Sequence, residues 1–73
     1  MPSKYPTCTP FQVHKALIKA GFWDLKQTGS HVKLTNGYHI VIVPMHHKDL
    51  KTGTLKGILE QAGMSVDDFM EYL

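Results

Sequence analysis

Arginine is absent from this 73-residue chain, and all eight of its permanently basic side chains are lysines. Cationic contacts therefore come from ammonium groups, which meet phosphates as point charges and lack the planar fork of a guanidinium. Cysteine is nearly absent as well. Cys8 stands alone, which excludes a disulfide framework and a cysteine-based zinc site. Long hydrophobic runs are missing: the longest, Ile40 to Val43, has four residues, far short of a membrane span. The stretch Met1-Pro2-Ser3-Lys4-Tyr5-Pro6 lacks the apolar region of a secretory signal, so a reduced, cytoplasmic setting is expected. There is no internal repeat, linker or low-complexity segment. The net charge of +2 is too weak to argue for nucleic acid on its own.

What is present is a globular composition, 42% apolar and 19% charged, at a length that fits one domain over residues 1–73. A chain of this size buries only about 60% of its unfolded surface. Its core is small, with no room for a deep cleft. Function must rest on a few side chains and a large substrate or partner.

Residues 1–8 hold two prolines and little periodicity, and are expected to form an extended arm. Thr9, Pro10 and Gln12 then read as N-cap, first helical position and the far side of a capping box. Val13, Ala16, Leu17 and Ala20 make one apolar stripe, and Gly21 follows, so the first helix spans about residues 10–20. Residues 22–27 suit a strand, and Thr28-Gly29-Ser30 a turn. Residues 31–35 alternate polar and apolar. Asn36-Gly37 signals a two-residue type I′ hairpin, leading into a β-branched strand over 38–43 that ends at Pro44. Residues 44–52 form a loop. A second helix starts near Thr52 to Thr54 with the stripe Leu55, Ile58, Leu59 and Ala62, and ends at Gly63. Ser65 caps a short last helix with Asp68 at its third position, and Met64 and Phe69 are spaced as a hydrophobic staple. The fold class is α+β: an α-β-β-β-α order plus a short C-terminal helix, with a three-stranded antiparallel sheet and helices on one face.

A two-residue turn at Asn36-Gly37 pairs Thr35 with Tyr38, Lys33 with Ile40 and His31 with Ile42. The face with Val32, Leu34, Val41 and Val43 is the more apolar and is assigned to the core. The opposite face then shows His31 and Lys33 beside Tyr38, Ile40 and Ile42: a surface for a partner, one covered by the N-terminal arm, or one whose register is shifted by a bulge.

Five histidines are present, without an HExxH motif or a nucleophile elbow. His46-His47 with Asp49 reads as a solvated loop, because adjacent side chains seldom point the same way. His14 is expected on the outer half of its helix, and His39, on the core-facing side of its strand near the turn, as a boundary residue. His31 differs by context. It follows Gly29-Ser30, where turn amides can cradle an anion. Lys33 shares its strand face and Lys26 lies across the turn. An imidazole beside ammonium groups suits a phosphodiester: it moves a proton while lysines and backbone amides offset phosphate charge.

The chain also resembles the HicA toxin family, bacterial mRNA interferases paired with HicB-type antitoxins. The resemblance rests on Leu17-Ile18-Lys19-Ala20-Gly21-Phe22 and on Lys26-Gln27-Thr28-Gly29-Ser30-His31. It continues through Pro44-Met45-His46 and Leu50-Lys51-Thr52-Gly53-Thr54-Leu55-Lys56-Gly57-Ile58-Leu59. It ends with Gln61-Ala62-Gly63-Met64-Ser65 and Phe69, so that it spans roughly residues 9–73. The resemblance implies a double-stranded-RNA-binding-domain-like fold and translation-independent mRNA cleavage. It implies His31 as the catalytic residue and an antitoxin covering the His31 face. The family commonly has arginines among its basic residues, whereas this chain has only lysines.

On this reading mRNA is the substrate, and Lys26, Gly29, Ser30 and Lys33 contact its phosphates. Lys51 and Lys56 are outer phosphate contacts. No metal, cofactor or membrane is expected. Two rival classes remain. A non-catalytic duplex-RNA binder should carry a dense basic cluster at the start of its second helix, where Lys48, Lys51 and Lys56 are spread out and diluted by Asp49. A pure protein-interaction domain would use the apolar sheet face alone.

Overall fold

A computed structural model describes residues 5–73. Helix α1 (Pro10–Lys19) begins as its sequence requires. The Thr9 hydroxyl accepts the Gln12 amide, and the Gln12 side chain accepts the Thr9 amide in return. It ends with Phe22 N–H on the Leu17 carbonyl and Gly21 N–H on the Ile18 carbonyl, the paired bonds of a Schellman motif. Strands β1 (Trp23–Thr28), β2 (His31–Thr35) and β3 (Ile40–Pro44) follow, then α2 (Thr52–Ala62) and the short α3 (Val66–Met70). Ser65 accepts the Asp68 amide and so caps α3. Met64 is half-buried against the core and Phe69 is fully buried, on either side of that cap.

The sheet is antiparallel in the order β1-β2-β3. Val32, Leu34, Val41 and Val43 turn inward against Val13, Leu17, Leu55, Ile58, Leu59 and Phe69, so the helices cover one face. Of the arm expected over residues 1–8, positions 1–4 lie outside the described residues. Tyr5 packs against the core and Cys8 is buried in it, its carbonyl accepting the Leu50 amide. The described part of the arm therefore does not cover Ile40 and Ile42, which stay 56% and 43% exposed.

The β2–β3 connection departs from the expected two-residue turn. Thr35 pairs with Ile40, Lys33 with Ile42 and His31 with Pro44, leaving four loop residues. A type I′ turn needs positive φ at both central positions. Gly37 has it, at 92°, but no described non-glycine residue does, Asn36 included. The Asn36 side chain instead accepts the amides of Tyr38 and His39, and the Thr35 hydroxyl donates to the His39 carbonyl. Tyr38 and His39 thus sit in the loop rather than the strand, and His39 is exposed rather than core-facing. The register moves by two residues, an even number, so the side chains that remain paired in β2 and β3 keep their expected faces.

β3 is an edge strand, and its open side is blunted. Pro44 has no N–H to offer, and the Ile42 amide donates to Gln61 Oε1 of α2 at 3.1 Å.

Candidate functional site

The inward turn of Val32 and Leu34 sends His31, Lys33 and Thr35 to the outer face of the sheet. Their cross-strand partners complete a grid of three rows. Thr28, His31 and Pro44 form the first, Lys26, Lys33 and Ile42 the second, and Trp23, Thr35 and Ile40 the third. The third row depends on a β-bulge. Trp23 and Lys26 are an odd number of residues apart and would face opposite ways in a regular strand. The register shift between Asp24 and Lys26 inserts Leu25 as an extra residue and brings both to the outer face.

The first two rows enclose a shallow depression of about 340 Å³ lined by Lys26, Thr28, His31, Lys33 and Ile42. Lys26 stands directly opposite Lys33. Like charges so placed destabilise a sheet unless an anion lies between them. No carboxylate belongs to the grid. Asp24, the one acidic residue of the sheet, faces the helices and accepts from His14 at 2.7 Å. Within the described residues the His31 ring makes no hydrogen bond, ion pair or stack, so both of its nitrogens are open to a ligand.

The β1–β2 turn is compact. Gly29, at φ 58°, takes the first of two central positions, the place of glycine in a type II′ turn. The Gln27 side-chain amide donates to the Gly29 carbonyl at 3.3 Å, and the Ser30 carbonyl accepts the Met45 amide. Gly29 and Ser30 thus stand beside the depression without forming its wall. Lys51 is the N-cap residue of α2 and Lys56 is exposed on that helix, and neither lines the depression. Of the residues expected from sequence, Lys26, His31 and Lys33 converge and the other two lysines stand apart. Thr28, expected in the turn, was missed, and Ile42, expected on this face opposite His31, stands opposite Lys33 instead.

The other histidines are placed elsewhere. His14 is half-buried against β1 through Asp24, not on the outer half of its helix. His39 lies over Gly63, its Nε2 2.6 Å from where a Cβ on that glycine would stand. His46 Nδ1 accepts the Lys48 amide at 3.2 Å, and His47 stacks on Phe11 with ring centres 5.9 Å apart. Among the described residues no three His, Cys, Asp or Glu side chains group as a metal site. Cys8 is 2% exposed, and burial, with the Asp49 charge adding to it, pushes its thiol pKa up. A protonated, enclosed thiol is a poor nucleophile.

Helices behind one antiparallel sheet, and a carboxylate-free cationic outer face, define a small α+β protein with an open rather than a cleft-like site. The family model of the HicA toxin of bacterial toxin–antitoxin matches residues 12–64, from α1 to just past α2. The chain therefore belongs to the HicA toxin family, toxins that act within toxin–antitoxin pairs and so imply an antitoxin partner. A search of curated proteins found no match. No helix of the described residues is long and apolar enough to cross a membrane.

Proposed function

We propose that this chain, acting as a single HicA-like domain in the bacterial cytoplasm, is an endoribonuclease that cleaves mRNA at His31. The observation that carries the reading is the exposed, unpartnered His31 ring in a depression shared with two opposed lysines and no carboxylate. In the proposed reaction a ribose 2′-oxygen attacks the adjacent phosphorus. The bond from phosphorus to the 5′-oxygen breaks, leaving a 2′,3′-cyclic phosphate and a 5′-hydroxyl. One proton leaves the 2′-hydroxyl and one joins the departing oxygen. His31 carries one of these transfers, and water, Lys33 or the phosphate itself carries the other. Lys26 and Lys33 offset charge on the phosphate as it builds. The route invokes no metal. A HicB-like antitoxin that covers this face, with Ile40 and Ile42 as apolar anchors, would block it.

Purified protein is expected to cleave RNA in the presence of a chelator and leave cyclic phosphate ends. His31→Ala should lower the rate by about a hundredfold or more, the scale of lost general acid–base catalysis. Because His31 is exposed, the melting temperature should stay put. Induction should arrest bacterial growth, His31→Ala should relieve the arrest, and so should co-expression of the antitoxin. Undiminished cleavage by His31→Ala would sink the assignment. Tight, salt-sensitive duplex binding without cleavage would favour the non-catalytic module.

A further inference from the structure

The third row of the outer face is unlike the first two. Thr35 points away from the helices yet is only 8% exposed, and its cross-strand neighbours there are Trp23 and Ile40. The Trp23 ring reaches beyond the strand, its Cη2 3.7 Å from the position of a Cβ on Gly37. The indole therefore lies over the end of the sheet and the β2–β3 loop, while 51% of the residue remains exposed. Tyr38, the next loop residue, is 91% exposed. Beside Trp23, at the base of the loop that carries Tyr38, the Thr35 hydroxyl is held from both sides, donating to the His39 carbonyl at 2.7 Å and accepting the Gly37 amide at 3.1 Å. The loop is thus braced.

We propose that Trp23 and Tyr38 form a base-stacking platform for single-stranded RNA, whose phosphates run through the Lys26, His31 and Lys33 depression. This inference rests on the endoribonuclease reading for the identity of the polyanion. Three observations support it. A flat aromatic face beside a cationic track is how proteins hold single strands without reading sequence. The grid offers lysines and no carboxylate, the charge complement of a phosphate chain. The platform also lies four residues along β2 from His31, roughly 13 Å at the strand rise, a reach of a few nucleotides. A duplex would leave the aromatics idle, because its bases are stacked on one another and it presents phosphates and 2′-hydroxyls instead. Arginine-free recognition fits as well, since stacking and point charges need no bidentate fork.

Trp23 is the only tryptophan in the chain, so its emission reports on the platform directly. The test titrates His31→Ala protein, which keeps RNA intact, with a short single-stranded RNA, the same strand in a duplex, and an abasic ribose-phosphate strand of equal length. Single-stranded RNA should quench the emission, the abasic strand should leave it unchanged, and the duplex should bind more weakly. In anisotropy with labelled RNA, Trp23→Ala should weaken single-strand binding by about tenfold, the size of one lost stack. Trp23→Phe should restore most of that affinity while keeping Thr35 covered, which separates stacking from any loss of fold. Equal binding by Trp23→Ala, equal quenching by the abasic strand, or preference for the duplex would overturn the proposal. So would emission that ignores every RNA and shifts only with the antitoxin, which would make the platform a protein-docking surface. These outcomes are independent of the cleavage reading, whose failure appears as wild-type protein that does not cut RNA.

Discussion

Gly29 is held by backbone alone. Its φ is 58°, and a Cβ there would meet no atom within 4 Å, so space is not what excludes a side chain. An L-residue in this left-handed region costs about 1–2 kcal/mol, and asparagine less than alanine. Gly29→Ala is therefore expected to lower the melting temperature by roughly 4–16 °C for a domain this small, and Gly29→Asn by less. Equal losses for the two would contradict the assignment. The turn at Gly29 was readable from Thr28-Gly29-Ser30 because the constraint is local. The turn at Gly37 was misread for an equally local reason. Asn36 has two ways to close a loop, positive φ or a side chain that accepts amides, and the dipeptide does not say which.

Among the elements, α1 shows how little beyond its own residues decides a helix start. Thr9 and Gln12 satisfy each other's amides, and Pro10 fills the first position. Thr9→Ala should cost about 1 kcal/mol, read as a lower midpoint in urea unfolding, and Thr9→Ser should recover most of it. β1 shows the opposite. All six of its residues are exposed, so no buried alternation marks its register. Its bulge at Leu25 exists only through pairing with β2. That bulge places Trp23 and Lys26 on one face and frees Asp24 to meet His14 on the other. Neither the platform nor the His14–Asp24 hydrogen bond could be seen from spacing alone.

For the whole molecule, Cys8 ties the N-terminal segment to the core and to the loop before α2. Burial, then the Asp49 charge, raises its pKa in the folded state. Above about pH 8.5 an unfolded chain begins to lose this proton while the folded one keeps it. The folded state then binds more protons, so stability is full below that pH and falls as pH rises toward the raised value. Melting curves across this alkaline range should show a steeper decline for the native chain than for Cys8→Ala, whereas parallel declines would refute the linkage.

By itself the sequence determined the element order, the helix caps and the faces of the sheet. Caps are settled within a few residues, and the period-2 alternation of β2 and β3 survives any even shift of register. It also carried the grouping of Lys26, Lys33 and His31, because one hairpin holds all three. The tertiary structure alone decided which residues stand opposite one another. Thr28 and Ile42 enter the depression, Lys51 and Lys56 stay on α2, and Trp23 turns outward, all through strand pairing and a bulge. Residue types narrow a turn to a few conformations, and only the folded hairpins, with their loop length, bulge and buried face, select the one that sets the pairing.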